Sequence, residues 1–128
     1  MDSSTAIEGR EFDWFARDQA GALAVFATAG SGPVPPSVLR CTAAHDAVGD
    51  AIPVSGWGST QVWQSYAAAG LYAYDWDGTD HLYRKVAAPV DALLPEIAAF
   101  VAEMSLPICA ARFSKSLEVR LGDLQHGT

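Results

Sequence analysis

The chain has 128 residues, 50% hydrophobic and 18% charged, with a formal charge of −7. That composition belongs to a globular domain and excludes a collagen, a disordered tail and a disulfide scaffold. At this length about two thirds of the unfolded chain's surface can be buried, enough for a single domain over residues 1–128 without disulfides or a structural metal.

Eight cations, Arg10, Arg17, Arg40, Arg84, Lys85, Arg112, Lys115 and Arg120, are scattered among fifteen acidic residues. Binding DNA or RNA calls for cations gathered on one face to neutralise phosphates, so nucleic acid is not an expected partner. A basic protein is a better match, because an acidic field speeds its encounter, although the same charge also serves ordinary solubility. The first nine residues have neither the basic start nor the apolar stretch of a secretory signal, so the expected compartment is the cytoplasm. Residues 19–39 and 51–74 carry no Asp, Glu, Lys or Arg and are long enough to raise the question of a membrane span. Each is interrupted by turn-forming polar residues, Gly30-Ser31-Gly32-Pro33 in one and Ser55 to Thr60 in the other, which hydrocarbon would not tolerate. No membrane association is expected. Cys41 and Cys109 are expected to be reduced, buried thiols.

Taken in chain order, residues 1–9 are expected to be flexible. Residues 11–17 alternate with period two, placing Phe12, Trp14 and Ala16 on one face and Glu11, Asp13, Phe15 and Arg17 on the other, as in a half-buried strand. Asp18 to Gly21 is a turn. Residues 23–28 form a second strand apolar enough to be buried on both sides. Pro36 suits a first helical position, and a short helix follows to Ala44 with Val38, Leu39 and Thr42 inward. Residues 46–58 read as irregular. Ser59-Thr60 offers an N-cap for a helix over residues 61–69, which Gly70 ends. Residues 71–76 and 81–87 flank Asp77-Gly78-Thr79-Asp80, a hairpin signal because Asp-Gly tolerates positive φ. Pro95 opens a helix to Met104 with Ile97, Phe100, Val101 and Met104 on one stripe, and residues 112–121 read as a last strand with Leu117, Val119 and Leu121 pointing one way. Residues 122–128 are expected to fray. The order ββ-α-α-ββ-α-β argues for an α+β domain with an antiparallel sheet of about five strands and short helices mainly on one face.

Catalytic patterns are weak. His45, His81 and His126 are the available imidazoles, none has an evident nucleophile partner, and no Gly-x-Ser-x-Gly elbow occurs. Asp75, Asp77 and Asp80 cluster at the hairpin tip, but a calcium loop starting at Asp75 would need glycine at position 80 and glutamate at position 86, where Asp80 and Val86 stand. A solvated Asp-Gly turn is the ordinary reading. There is no Cys-x-x-Cys and no His-x-x-x-His, so no metal is expected. The glycine pairs at 30/32 and 56/58 lack the rest of a phosphate loop, so no nucleotide or other cofactor is expected. Trp57, between two glycines, either folds back as a plug over the core or stands out as a contact residue. Trp14, Trp63 and Trp76 lie on regular elements and suit the core.

The stretch from Glu11 to Pro35, with its aromatic strand Phe12-Asp13-Trp14-Phe15, the Asp18-Gln19-Ala20-Gly21 turn, the apolar strand Leu23 to Thr28 and Gly30-Ser31-Gly32, resembles small bacterial immunity proteins of polymorphic-toxin and contact-dependent inhibition systems. The resemblance implies a non-enzymatic cytoplasmic antidote that binds one cognate toxin domain; it carries no catalytic residue. The acidic hairpin residues Asp75, Asp77 and Asp80, with Trp57, are then the expected partner-binding patch, the carboxylates steering a basic toxin such as a nuclease and the indole anchoring it. The alternative is a small-molecule site or a minor enzyme, with Trp14, Trp63, Tyr72, Tyr74 and Tyr83 lining an apolar cleft between sheet and helices.

Overall fold

The structure, a computed structural model, describes residues 11–56 and 59–124. Trp57, His126, residues 1–9 and residues 125–128 lie outside the described residues. The elements in chain order are β1 (Asp13–Asp18), β2 (Leu23–Ala27), α1 (Pro36–Leu39), α2 (Thr42–Ala51), α3 (Gln61–Ala68), β3 (Tyr72–Asp77), β4 (Leu82–Ala87), α4 (Pro95–Ala102), β5 (Ile108–Cys109), β6 (Glu118–Val119) and a 3-10 turn over Leu121–Leu124. Six strands form one sheet in the order β5-β1-β2-β3-β4-β6, curled into a half-barrel, and the domain is α+β.

Both expected hairpins are present, and each turn is set by an aspartate. Asp18 Oδ1 accepts the amide hydrogens of Ala20 and Ala22 at 3.0 and 2.9 Å, and Gly21 takes φ 88° to close the first turn. In the second, Asp77 Oδ1 accepts from the amides of Thr79 and Asp80 at 2.9 and 3.1 Å. The left-handed residue of that turn is His81, with φ 56°, rather than Gly78, because the loop runs four residues before β4 begins. The sheet is mixed rather than wholly antiparallel: β2 runs parallel to β3, pairing Ala24 with Tyr72 through Ala27 with Asp75, and β5 runs parallel to β1. A parallel neighbour needs a long crossover, and α1 to α3 supply it.

Three regions differ from the sequence reading for identifiable reasons. The helix expected over residues 36–44 breaks at Cys41, where φ −144° and ψ 44° are not helical, and α2 then continues through residues 46–51, read as irregular. His45, Val48 and the following Ile52 are buried against the sheet, and that burial outweighs the low helix propensity of Gly49, Asp46 and Asp50. Phe100 is 42% exposed, leaving Ile97 and Val101 as the buried stripe of α4. The last strand is only Glu118–Val119; Leu117 is 70% exposed while Val119 is buried, and residues 113–115 form a turn instead. Beyond it, Leu124 is buried at 1% exposure, so residues 122–124 belong to the packed fold.

The two faces of the sheet carry separate cores. On one, Phe15, Val25 and Ala73 meet Val48 of α2, Val62 and Tyr66 of α3, and Ile97 and Val101 of α4. On the other, Trp14 stacks on Phe26 at 4.5 Å, Phe26 on Tyr74 at 5.0 Å, and Tyr83 stands edge-on to Phe26 at 5.1 Å. Phe113, Val119 and Leu124 from the C-terminal segment cover this aromatic stack. That segment is fastened by the Tyr74 hydroxyl donating to Ser116 O at 2.7 Å and by the Phe113 amide donating to Asp18 Oδ2 at 3.0 Å. Cys41 is half-buried and Cys109 buried, both free thiols, and burial pushes Cys109 up to about 11.

Candidate functional site

Cross-strand register creates the most chemically distinctive place on the molecule. Asp13 of β1 pairs with Ala27 of β2, and Ala27 pairs in turn with Asp75 of β3. One row across three adjacent strands thus reads carboxylate, methyl, carboxylate, with the two aspartates two strand spacings, about 10 Å, apart along the backbone. Ala27 leaves the floor between them low. Helix α3 forms the facing wall with Val62, Trp63 and Tyr66, and Ser59 and Glu11 close the rim of a cavity of about 400 Å³. The N-cap position is Thr60, which makes no side-chain cap hydrogen bond; the turn before it is held by Ser59, whose hydroxyl donates to Gly56 O at 2.7 Å and accepts the Gln61 amide at 3.3 Å.

The electrostatics of the cavity follow from its geometry. Burial raises the pKa of Asp13; the hydrogen bond from Tyr66, 2.6 Å to Oδ2, opposes that rise, and the charges of Glu11, Asp75 and Asp46 add to it. Burial also raises the pKa of Asp75, opposed by the Trp76 amide and reinforced by Glu11. Burial and the charge of Asp13 push the Tyr66 phenol far above its ordinary range, so it is a fixed donor. Among the described residues no cation bonds to Asp13 or Asp75. Among the described residues no three His, Cys, Asp or Glu side chains converge to hold a metal ion. What the arrangement accommodates is an organic cation, whose charge faces carboxylates and whose hydrocarbon faces Trp63 and Tyr66.

The expected patch at the hairpin tip is divided between two environments. Asp75 lines the cavity. Asp77 and Asp80 turn to Arg84, whose Nη2 lies 3.0 and 2.8 Å from their carboxylates, while its Nη1 reaches Glu118 of β6 at 3.3 Å. The Asp80 amide, with the Arg84 guanidinium and the Thr79 amide, holds Asp77 below the usual carboxylate range. Trp57 lies outside the described residues, and its neighbour Ser59 borders the cavity. Of the aromatics named for an apolar cleft, Trp14, Tyr74 and Tyr83 are fully buried in the inner stack, and Lys85 sits 5.1 Å over the ring of Tyr72. Trp63 alone of the five borders the cavity. Asp13, Glu11 and Tyr66 went unnoticed as site residues; the available signal was a charge at position 13 on a strand face shared with Phe15.

The imidazoles occupy different settings. His45 is buried, its Nδ1 accepts the Phe15 amide at 3.0 Å, and burial lowers its pKa to about 4. His81 is exposed in the hairpin turn. Among the described residues no helix is long and apolar enough to cross a membrane. No protein-family model, no curated protein and no solved structure matches this chain.

Proposed function

We propose that this protein is a non-enzymatic binding protein of the immunity type, a cytoplasmic antidote that docks on a basic toxin domain and blocks its active site or its access to substrate. The observation that carries the reading is the row Asp13–Ala27–Asp75, two partly buried carboxylates to which no cation among the described residues is bonded. A stable fold rarely leaves two such groups together unless a positive partner offsets their desolvation. The net charge of −7 supplies the long-range attraction, and the patch of Asp75, Asp77, Asp80 and Trp57 the steering and contact.

The test is co-expression of tagged protein with the product of the adjacent reading frame, followed by native mass determination. A stable one-to-one complex with a product that is lethal alone supports the reading; no complex at micromolar concentration overturns it. In such a complex, the triple substitution Asp75→Asn, Asp77→Asn, Asp80→Asn is expected to slow association and flatten its salt dependence.

A second reading rests on the cavity itself, whose volume of about 400 Å³ is in the range of small-ligand sites. A thermal-shift screen separates the two, because a small-molecule protein gains stability from its ligand without any protein partner.

A further inference from the structure

Trp63 is shared by two depressions. On one side of the half-buried indole lies the cavity with Asp13 and Asp75; on the other lies a more open depression lined by Gln64, Val86, Ala87 and Ala88. Thr60 borders both, so the two depressions adjoin along α3 as a groove divided by Trp63. Their chemistry differs sharply. One half presents carboxylates, and the other presents Val86, 39% exposed on a strand where an apolar side chain has no charge to meet.

We propose that this groove docks a basic segment of the partner protein, one arginine or lysine side chain entering the carboxylate cavity and a neighbouring apolar side chain covering Val86, with Trp63 as the ridge between them. This deepens the binding-protein reading and rests on it for the identity of the occupant as a protein. Charge complementarity selects the occupant: a cation regains with Asp13 and Asp75 the favourable contact that burial took from them, and its alkyl stem packs on the indole face. An acidic or neutral segment would cover both carboxylates without supplying a counter-cation, which makes the same groove repel the wrong partner. Anchors of this kind, an aromatic in a partly enclosed setting flanked by a desolvated charge, dominate interface energetics.

The experiment uses the full chain labelled with ¹⁵N and the capped hexapeptide Gly-Arg-Leu-Arg-Leu-Gly as probe, with the Trp63 indole resonance assigned from its loss in Trp63→Phe. At about 1 mM peptide, shifts are expected at Trp63, Asp13, Asp75 and Val86. Replacing arginine in the probe by glutamine is expected to abolish them, and replacing leucine by serine to remove the Val86 shift. Trp63→Ala is expected to weaken binding about thirtyfold, as an interface anchor does, and Asp75→Asn about tenfold. Glu96→Gln, at an exposed position on α4, is expected to leave it unchanged. Thermal melts of each variant confirm that it is folded.

Absence of shifts in the groove, equal binding of the glutamine probe, or full binding by folded Trp63→Ala would overturn the proposal. So would agmatine binding as tightly as the hexapeptide, which would make the cavity a small-cation site. The peptide is read without the toxin, so the two proposals fail separately. A toxin complex indifferent to Trp63→Ala and Asp75→Asn defeats the groove alone, and peptide binding without any toxin complex defeats the antidote alone.

Discussion

The hydroxyl of Tyr66 on α3 donates a 2.6 Å hydrogen bond to Oδ2 of Asp13 on β1, joining the helix to the strand at the wall of the acidic cavity. Tyr66→Phe removes the donor while keeping the ring, and a hydrogen bond to a charged acceptor sets the expected loss at about 2 kcal/mol by urea denaturation at pH 7. Asp13→Asn acts in the opposite direction. Because the folded-state pKa of Asp13 is raised above 3.8, its favourable contribution is present below that value and is lost as pH rises through the folded pKa. The amide still accepts from Tyr66 and carries no charge, so Asp13→Asn is expected to melt higher than wild type at pH 7. That advantage should vanish below pH 3.8, where the wild-type carboxyl is protonated in both states. A lower melting temperature at pH 7 would mean that a cation already compensates the carboxylate.

His45 gives the molecule an acid-labile point. Strand β5 pairs only with Arg17 and Asp18, and the Phe15 amide bonds instead to the imidazole of α2. With Nδ1 accepting, the proton sits on Nε2, which is buried and has no hydrogen-bond partner among the described residues. The folded pKa of about 4 against an ordinary 6.5 means that the unfolded chain binds the proton first. Stability is therefore complete above pH 6.5 and falls as pH drops toward 4, by on the order of 3 kcal/mol from this group. His45→Asn, which keeps a short acceptor for the Phe15 amide, is expected to flatten that acid limb in urea titrations at pH 7, 6 and 5. An unchanged limb would assign it to other groups.

What the sequence made legible was local. The two hairpins announced themselves through Asp18 to Gly21 and Asp77 to Asp80, and the helices starting at Gln61 and Pro95 through a terminal glycine, a proline and apolar spacing, although Thr60 at the N-cap makes no side-chain cap bond. What it concealed was set at a distance. Helix α2 is held by Val48 and Ile52 meeting Phe15 and its neighbours, a contact that outweighs Gly49 and that no local pattern encodes. The parallel β2–β3 junction depends on where a crossover of some forty residues lands. The cavity is more hidden still, because Asp13, Ala27 and Asp75 are brought into one row only by two strand registers. The hairpin acids were legible as a cluster, yet Arg84, in plain view four residues past Asp80, divides them.

That division is itself measurable. Arg84→Gln removes the guanidinium from Asp77, Asp80 and Glu118, all on the exposed side of the hairpin, so the melting temperature is expected to change little. The carboxylate of Asp77 should respond in an NMR titration. Its pKa is expected to rise only part of the way to the ordinary value, because the Asp80 and Thr79 amides remain. Full return to 3.8 would show that the guanidinium, not the turn, is the dominant cause. In a toxin complex the same variant uncovers negative charge at the tip and is expected to steepen the salt dependence of association.

Gly70 controls how α3 is seated over the sheet, and thereby the wall of the cavity. It ends the helix with φ 93°, a conformation that L side chains rarely adopt, and a Cβ there would run into the backbone of Ala92 and Leu93. Those residues belong to the connection after β4, which is tied to the end of α3 by the Val90 amide donating to Ala67 O and the Leu94 amide to Ala69 O, both at 3.0 Å. A flexible side chain could yield to an added methyl, whereas this connection is main chain held from both ends. The left-handed penalty alone is about 1–2 kcal/mol, and displacement of the connection adds to it, so Gly70→Ala is expected to lose roughly 3 kcal/mol in urea denaturation. If α3 shifts as a unit, the amide resonances of Trp63 and Tyr66 will move although both are more than a turn of helix away from the substitution. Loss of stability with those resonances unmoved would confine the strain to the 88–94 connection and leave the groove intact.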